Sequence, residues 1–251
     1  TLERSPVALG ITDPISRENW LIEATPAIKH QWQALTIATG FPIVGIFITH
    51  AHAGHYTGLI NLGREMMSAT AMPVYALPRL SRFLKSNGPW EQLVQLGNIE
   101  VRTMAADSAI KINDQFLCKP VEVPHRDEYS ETAGFVIQGP KKKALFIPDI
   151  DKWQKWPLDL VKMIMKVDYA LLDGTFFSEG ELPGRDMSAI PHPFVVETLE
   201  ILKNLDAVEK KKVYFLHFNH TNPLIWGEDK AVQIVQEAGM NVAEEGMRLD
   251  L

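Results

Sequence analysis

The sequence predicts an α/β fold in which sheets pack together with helices on their outer faces, in one unit. Three observations support this prediction. Strand-like and helix-like segments alternate through both halves of the 251 residues. Neither an internal repeat nor a low-complexity linker separates these segments. The composition, 46% hydrophobic and 22% charged, is typical of a globular protein and excludes disordered, collagenous and coiled-coil chains.

In the first half, turn-forming and helix-capping residues and one apolar run predict the strands and helices. Asp13-Pro14 predicts a turn between two strands, and Thr25-Pro26 predicts the cap and first turn of a helix. The run 44–48 is too apolar for a half-exposed strand, so we expect it to be buried on both faces. The predicted elements are strands 7–11, 20–23, 44–48 and 74–76, and helices from 25 to about 35, from 55 to about 67 and around 80–85.

In the second half, residues 99–137 are mostly strand-like, with apolar and polar residues alternating around Val121 and Phe135. A further strand, 144–147, leads directly to Asp149. The remaining predicted elements are helices 158–167, 194–205 and 229–238, and strands 169–172, 213–216 and 247–249.

Charge and cysteine content exclude several kinds of partner and site. The formal net charge is −6, and no basic run exceeds three lysines, so a nucleic acid or an anionic membrane is not expected to bind. The single cysteine, Cys118, cannot form an intramolecular disulfide, so any metal site must use histidines and carboxylates. No apolar run approaches the roughly 20 residues of a membrane span.

The compartment and the oligomeric state are left open by the sequence. Nothing at the start resembles a signal peptide, which favours a cytoplasmic location. The chain begins at Thr1 rather than Met, so a leader or a first structural element removed earlier is not excluded.

The placement of the histidines is the strongest functional signal. All of them except His30 lie at or just beyond the ends of predicted strands, where a rigid scaffold tends to position catalytic groups. His50 and His52 are two residues apart, so in an extended segment both imidazoles leave on the same side. His55 follows at the start of a predicted helix. We therefore interpret this segment as part of a metal site.

The segment Thr49-His50-Ala51-His52-Ala53-Gly54-His55 resembles the His-x-His-x-Asp-His signature of the metallo-β-lactamase superfamily, with Gly54 in place of the aspartate. Four later motifs follow in the order of the superfamily. They are His125 before 131–135, Asp149 after a strand, Leu172-Asp173-Gly174-Thr175, and His217 at a strand end.

Within the superfamily, the chain most resembles the branch of the coenzyme pyrroloquinoline quinone biosynthesis protein B. Five segments carry this resemblance: 123–129, 173–175, 190–193, 221–223 and 243–247. The resemblance implies an αβ/βα sandwich of two packed mixed sheets with helices on the outer faces. It also implies a single domain over residues 1–251. Relatives usually start with an additional strand, and here that strand has either been removed or the sheet edge is completed differently.

The resemblance further implies a set of metal ligands. His50, His52 and His125 would bind a first ion, His55 and His217 a second, and Asp149 would bridge the two. Gly54 removes one carboxylate from the second site, so we expect one tightly bound ion rather than two. The ion would be Zn²⁺ or Fe²⁺, because imidazole and carboxylate ligands suit both.

Asp149, His192 and Asp173 are the candidate catalytic residues. Asp173 is expected to orient a liganding imidazole from behind, as metal-bound histidines commonly require. His192 lies between two prolines, and it either lines the pocket and hydrogen-bonds substrate or caps the helix that starts at Phe194.

Further residues have two interpretations each. Asp151 either replaces the missing carboxylate or lies in a solvated turn, and the turn is favoured. His220 is an alternative ligand to His217, which is preferred because it directly follows a predicted strand. Three tryptophans either wall a pocket or pack in the core, with packing the default: Trp153, Trp156 and Trp226.

The function expected first is that of a metal-dependent hydrolase, in which a metal-bound hydroxide attacks an ester, amide or phosphoester of a small-molecule or peptide-derived substrate. The alternative implied by the closer resemblance is an iron-dependent oxygenase acting on a tyrosine-derived precursor in pyrroloquinoline quinone biosynthesis. A third interpretation is a non-catalytic metal-binding protein. A nicotinamide site or a serine nucleophile is not supported, because neither Gly-x-Gly-x-x-Gly after a strand nor Gly-x-Ser-x-Gly is present.

Overall fold

The structure is a computed structural model that describes residues 4–251. Its internal contacts divide these residues into two compact units. The N-terminal unit comprises the described residues up to 108 together with 127–133, and the C-terminal unit comprises 109–126 and 134–251. The expected single domain over 1–251 stays a prediction.

The N-terminal unit contains a mixed sheet of five strands in the order β1-β2-β3-β4-β5. β1 and β2 are antiparallel, and the remaining neighbours are parallel. Ile46 and Phe47 at the end of the central strand are fully buried, which confirms that the apolar run forms an interior strand. The strands are β1 Leu9–Asp13, β2 Glu18–Ile22, β3 Ile43–Phe47, β4 Met72–Ala76 and β5 Ile99–Thr103.

The helices of the N-terminal unit differ from the prediction at three points. The helix predicted from Thr25 begins at Ile28, because the Thr25 hydroxyl accepts a hydrogen bond from the Ala27 amide in a turn that precedes the helix. The helix predicted to residue 67 ends at Tyr56 and continues as a 3-10 segment, Thr57–Leu62. The fourth helix was not predicted. The helices are α1 Ile28–Thr39, α2 Ala53–Tyr56, α3 Pro78–Ser86 and α4 Trp90–Gln95.

The C-terminal unit is built on a mixed sheet of seven strands in the order β12-β11-β10-β9-β8-β7-β6. The strands from β9 to β12 are parallel, whereas β8 pairs with β9 and β6 with β7 in antiparallel fashion. The strands are β6 Ile110–Lys111, β7 Leu117–Val123, β8 Thr132–Gln138, β9 Lys143–Ile147, β10 Tyr169–Asp173, β11 Val213–Leu216 and β12 Asn241–Val242.

The strand predicted at 247–249 is wrong. Gly246 has a φ of 81°, and the Met247 amide donates to the Glu244 carbonyl at 3.2 Å, so this segment turns instead of extending. The last strand, β12, lies earlier in the chain. The helices of this unit are α5 Leu160–Ile164, α6 Val195–Leu202, α7 Ala207–Lys210, α8 Pro223–Trp226 and α9 Asp229–Glu237.

The fold class is confirmed: the chain is mixed α/β, with two mixed sheets and accompanying helices. Trp153 and Trp156 lie in the apolar core of the C-terminal unit, so both pack, whereas Trp226 is 56% exposed. Across residues 4–251, no helix combines the length and the apolar character needed to cross a bilayer.

Candidate metal centre

In the N-terminal unit, the chain leaving β3 clusters three imidazoles. His50 and His52 come from the loop after this strand, and His55 lies in α2. His50 Nε2 is 2.7 Å from His52 Nδ1, and the rings of His50 and His55 have centroids 4.3 Å apart. The two ring nitrogens face each other at a hydrogen-bond distance, shorter than the roughly 3.3 Å between nitrogens of a tetrahedral zinc site, so they would move apart by about 0.6 Å to share a cation.

A buried glutamate stands behind this cluster. Glu23 directly follows β2 and is fully buried. Its Oε1 accepts a hydrogen bond from the Thr49 hydroxyl at 2.5 Å and lies 3.2 Å from His55 Nδ1. The Thr49 hydroxyl is in turn 2.8 Å from His50 Nδ1. We call this group the Glu23 relay, which consists of Glu23, Thr49, His50 and His55.

The loop that carries His50 and His52, called the histidine loop below, also contacts the segment 127–133 of the same unit. The Ala51 amide donates to the Ser130 hydroxyl at 2.9 Å, and His52 Nε2 is 3.3 Å from a carboxylate oxygen of Glu128. The Glu131 carboxylate accepts from the amide of Arg79 near the start of α3. This segment therefore links the histidine loop to a helix of the sheet scaffold.

In the C-terminal unit, Asp149 lies among three imidazoles. It follows β9, is 2% exposed, and carries the only carboxylate among the ligands predicted from the sequence. Its oxygens are 3.8 Å from His125 Nε2, 3.7 Å from His192 Nδ1 and 3.4 Å from His217 Nε2. One potential ligand atom from each of His125, Asp149 and His192 lies within 4.8 Å of the others. Imidazoles around a buried carboxylate form a donor set that fits a divalent cation.

Asp173, the last residue of β10, stands behind these imidazoles. Its Oδ2 is 2.8 Å from His192 Nδ1 and accepts from the Ile150 amide at 3.0 Å. Its Oδ1 accepts from the amide and the hydroxyl of Thr175, and this hydroxyl is 2.9 Å from His217 Nδ1. We call this group the Asp173 relay, which consists of Asp173, Thr175, His192 and His217.

The pKa of His192 is raised above its ordinary value. Burial alone would lower it, but the Asp173 carboxylate outweighs burial through its charge and its hydrogen bond, and Asp149 acts in the same direction. Arg126 opposes this effect more weakly. His192 therefore keeps its proton to a higher pH than an ordinary histidine does.

Each relay includes one residue with an unfavourable backbone conformation. Glu23 has a φ of 85° and His217 a φ of 62°, and neither is a glycine. A side chain in this region costs on the order of 1–3 kcal/mol, and such residues cluster at functional sites. Both side chains point into networks of polar groups, which is consistent with a functional reason for the cost.

The alternatives considered for the site are engaged elsewhere. The Asp151 carboxylate forms an ion pair with Lys155 at 2.7 Å and accepts from the Lys152 amide, as a turn aspartate does. His220 is exposed, and its carbonyl accepts from the indole of Trp226. At Gly54, an added Cβ would meet nothing within 4 Å, so packing does not forbid the carboxylate that the signature has there.

Three candidate functional groups were not predicted from the sequence: the carboxylate of Glu23 and the hydroxyls of Thr49 and Thr175. Glu23 ends a predicted apolar strand, and a charged residue at such a position is the signal that would have found it. The two threonines border the histidine and aspartate motifs, but their hydrogen-bonding partners are far away in sequence and become visible only in the fold.

The sequence of the chain matches a known family. A family model described as "Beta-lactamase superfamily domain" matches residues 18–218. The chain therefore belongs to the beta-lactamase superfamily, as its motifs predicted.

Within this superfamily, the chain is similar to proteins named Coenzyme PQQ synthesis protein B. The protein of this name from Methylococcus capsulatus is 26% identical over 93% of this chain and 84% of its own length. The crystal structure of Zn²⁺-bound PqqB from Methylobacterium extorquens has a TM-score of 0.81 at 20% identity, covering 99% of this chain and 88% of that one.

A second solved structure shares the fold. A diphosphatase from the PhnP family has a TM-score of 0.66 at 22% identity, covering 93% of this chain and 80% of that one. At these identities, the two solved structures show a shared fold.

Proposed function

We propose that this chain is a metal-dependent hydrolase that cleaves an ester, amide or phosphoester of a small-molecule or peptide-derived substrate. The observation that carries the proposal is the set of imidazoles around the buried Asp149 carboxylate, at 3.4–3.8 Å. The Zn²⁺ in the structure of the PqqB relative and the name of the diphosphatase support it.

The proposed ligands follow the pattern of the superfamily. His50, His52 and His125 would hold the first cation, His55 and His217 the second, and Asp149 would be shared. The donor set suits Zn²⁺ and Fe²⁺. Because Gly54 supplies no carboxylate, we expect one tightly held ion.

When bound, the cation would bring the pKa of a coordinated water toward neutrality and polarise the bond under attack. The proton for the leaving group would come from His192. Its Nδ1 is held by Asp173 at 2.8 Å, so its Nε2 is the atom that donates. The raised pKa of His192 supports this assignment, because a general acid must be protonated at the working pH.

The test is the His52→Ala variant. Protein purified without added metal would be assayed for bound zinc and iron, and for hydrolysis of a panel of nitrophenyl carboxylic esters, anilides and phosphodiesters. We expect the variant to lose both metal and hydrolysis. His30→Ala, which changes an exposed histidine in α1, is the matched control and should change neither. Unchanged metal content and unchanged hydrolysis in His52→Ala would refute the proposal.

A second candidate is favoured by the names of the relatives. Proteins similar to this chain over 93% of its length are called Coenzyme PQQ synthesis protein B. An iron-dependent oxygenase acting on a tyrosine-derived precursor would use the same histidine and carboxylate ligands. Anaerobic reconstitution with Fe²⁺, followed by oxygen-uptake measurements with aromatic amino acids and peptides, separates the two functions. Absence of oxygen consumption would reject the oxygenase and leave hydrolysis.

A further inference from the structure

We propose that Arg126 determines substrate specificity by binding an anionic group of the substrate, a carboxylate or a phosphate beside the bond that is cleaved. The inference rests on the proposed hydrolase function and names its substrate class: small molecules or peptides that carry a negative charge close to the scissile bond. A guanidinium can bind two oxygens of such a group side by side, which also orients the substrate.

Arg126 lies next to the proposed metal ligands of the C-terminal unit. It directly follows His125, whose side chain is fully buried and whose ring centroid is 5.0 Å from that of His192. The carbonyl of Pro124 accepts a hydrogen bond from the Asp151 amide at 2.7 Å, so the backbone before Arg126 is fixed to the loop that follows β9. Arg126 itself is exposed, which places it on the solvent side of these buried groups.

The guanidinium of Arg126 is not neutralised by any acidic side chain that the structure describes. It forms neither an ion pair nor a hydrogen bond with another residue of the range 4–251. The aspartate next in sequence, Asp127, pairs with Arg79 at 2.9 Å, and Asp151 pairs with Lys155 at 2.7 Å. The donors of Arg126 are therefore available to a ligand that arrives from solvent.

The position of this charge is unfavourable for the protein alone. Burial, Asp173, Asp149 and Arg126 all act on the pKa of His192, and Arg126 is the only cation among these causes. Its charge therefore reaches the groups around Asp149, where it also opposes the binding of a metal cation. An anionic substrate group would reduce this repulsion, because it would neutralise the guanidinium on binding.

The charge of the whole chain gives a local cation at this point a role in selection. The formal net charge is −6, so the protein as a whole repels anions. Arg126 offers an anionic substrate a local attraction beside the proposed ligands, and a neutral substrate gains no such attraction. We therefore expect the site to select anionic over neutral substrates.

The first experiment measures anion binding without metal and without hydrolysis. Metal-free protein labelled with ¹⁵N-arginine is titrated with inorganic phosphate and, separately, with acetate at constant ionic strength. The Nε–H resonance of Arg126, identified by its loss in Arg126→Met, is followed by NMR. We expect it to shift saturably with at least one of the two anions, and the lower Kd shows whether the site prefers phosphate or carboxylate. Arg248, an exposed arginine of the same unit, is the internal control and should not shift.

The second experiment compares an anionic and a neutral ester with the same leaving group in metal-loaded protein. Where acetate binds more tightly, the pair is nitrophenyl hydrogen succinate and its methyl ester. Where phosphate does, the pair is nitrophenyl phosphonopropionate and its dimethyl phosphonate ester. We expect Arg126→Met to lower the ratio of kcat/KM, anionic over neutral, by about 10-fold, as for a hydrogen bond to a charged group, mainly through a higher KM.

Two further variants sharpen this measurement. Arg126→Lys keeps the charge but loses the planar pair of donors, so its ratio should lie between those of the wild type and Arg126→Met. Arg248→Met removes a charge from the surface of the same unit and should leave the ratio unchanged.

The inference is overturned if neither anion shifts the Arg126 resonance saturably, if Arg248 shifts as much as Arg126, or if Arg126→Met keeps the wild-type ratio. These outcomes are separable from the proposed function, because the titration needs neither metal nor turnover. A protein that binds anions at Arg126 but hydrolyses nothing when loaded with metal would reject the hydrolase and leave the anion site. Hydrolysis of both esters with an unchanged ratio would do the reverse.

Discussion

In both units the same kinds of chemical group contact the predicted ligands. The two units differ in the hydrogen bonds that hold the buried carboxylate of each group. The Glu23 relay and the Asp173 relay each combine one buried carboxylate, one threonine hydroxyl and two imidazoles. Asp173 accepts from two backbone amides within 3.0 Å, whereas the Thr49 amide lies 3.4 Å from a Glu23 oxygen. The Asp173 relay is therefore the more firmly held of the two.

The units also differ in the charge of their predicted ligands. The C-terminal unit contributes Asp149, and the N-terminal unit has Gly54 at its carboxylate position. With the proposed ligands, cation binding would depend on one carboxylate of the C-terminal unit, Asp149, whereas the N-terminal unit would contribute imidazoles that contact the Glu23 relay. Four substitutions or conditions test this asymmetry.

The largest effect is expected for Asp149→Asn. Removing the only carboxylate of the predicted ligand set should abolish tight metal binding and activity, a greater loss than the roughly 10–100-fold in affinity that an outer partner contributes. Metal content by elemental analysis and turnover of the best substrate measure this effect. Asp151→Asn, two residues along and paired with Lys155, is the control and should retain both. An Asp149→Asn protein with wild-type metal content would contradict the asymmetry.

His192→Gln should lower the rate while leaving the metal in place. If His192 donates the proton to the leaving group, kcat should fall by roughly 10²–10⁴, and substrates with good leaving groups should lose less. The exposed His220 supplies the control, since His220→Gln should keep full activity. A uniform loss across leaving groups would argue against proton donation.

Gly54→Asp should give the N-terminal unit a carboxylate among its predicted metal ligands, as the C-terminal unit already has in Asp149. The position has open space for a side chain, so the variant should fold, and the restored carboxylate should raise bound metal from about one ion per chain toward two. Elemental analysis after dialysis against trace metal measures the ratio. Two tightly held ions in the unmodified protein would show that the reasoning from Gly54 is wrong.

The smallest effect is a pH dependence of stability in the metal-free protein. The pKa of His192 is raised from 6.5, so its imidazolium stabilises the folded state. This contribution is fully present below about pH 6.5 and is lost as the pH rises through the raised pKa. The denaturation midpoint of the wild type should therefore exceed that of His192→Gln by more at pH 6 than at pH 9. Equal differences at both pH values would exclude a charged His192.

Local patterns were sufficient to predict most of the fold. The interior strand β3 follows from its unbroken apolar run, and β11 was predicted with the bounds that the structure has, 213–216. The α1 helix was predicted three residues early, because a threonine before proline can cap a helix or close a preceding turn, and the sequence does not distinguish these. The segment 247–249 was read as a strand although Gly246 directly precedes it.

For the site, the sequence predicts the histidines, the aspartates and the orienting role of Asp173, but not Glu23 or the threonine hydroxyls that also contact the imidazoles. His50, His52 and His55 share one short segment, and their spacing is itself the signal. Glu23 acts on residues 26 and 32 positions away, and such contacts arise only when β2 and β3 pair. A charged residue at the end of an apolar strand marks Glu23 as a candidate, but no pattern within a single segment identifies the residues that it contacts.

The unfavourable φ at Glu23 and at His217 has a consequence for which substitutions evolution would favour at these two positions. At both positions a glycine would relieve the unfavourable φ, so a lineage that ceased to use the site would gain folding stability by exchanging either residue. Their persistence is costly to the chain unless the side chains are needed. The identity of these two residues in related sequences therefore indicates which of them keep the polar groups behind the proposed metal ligands.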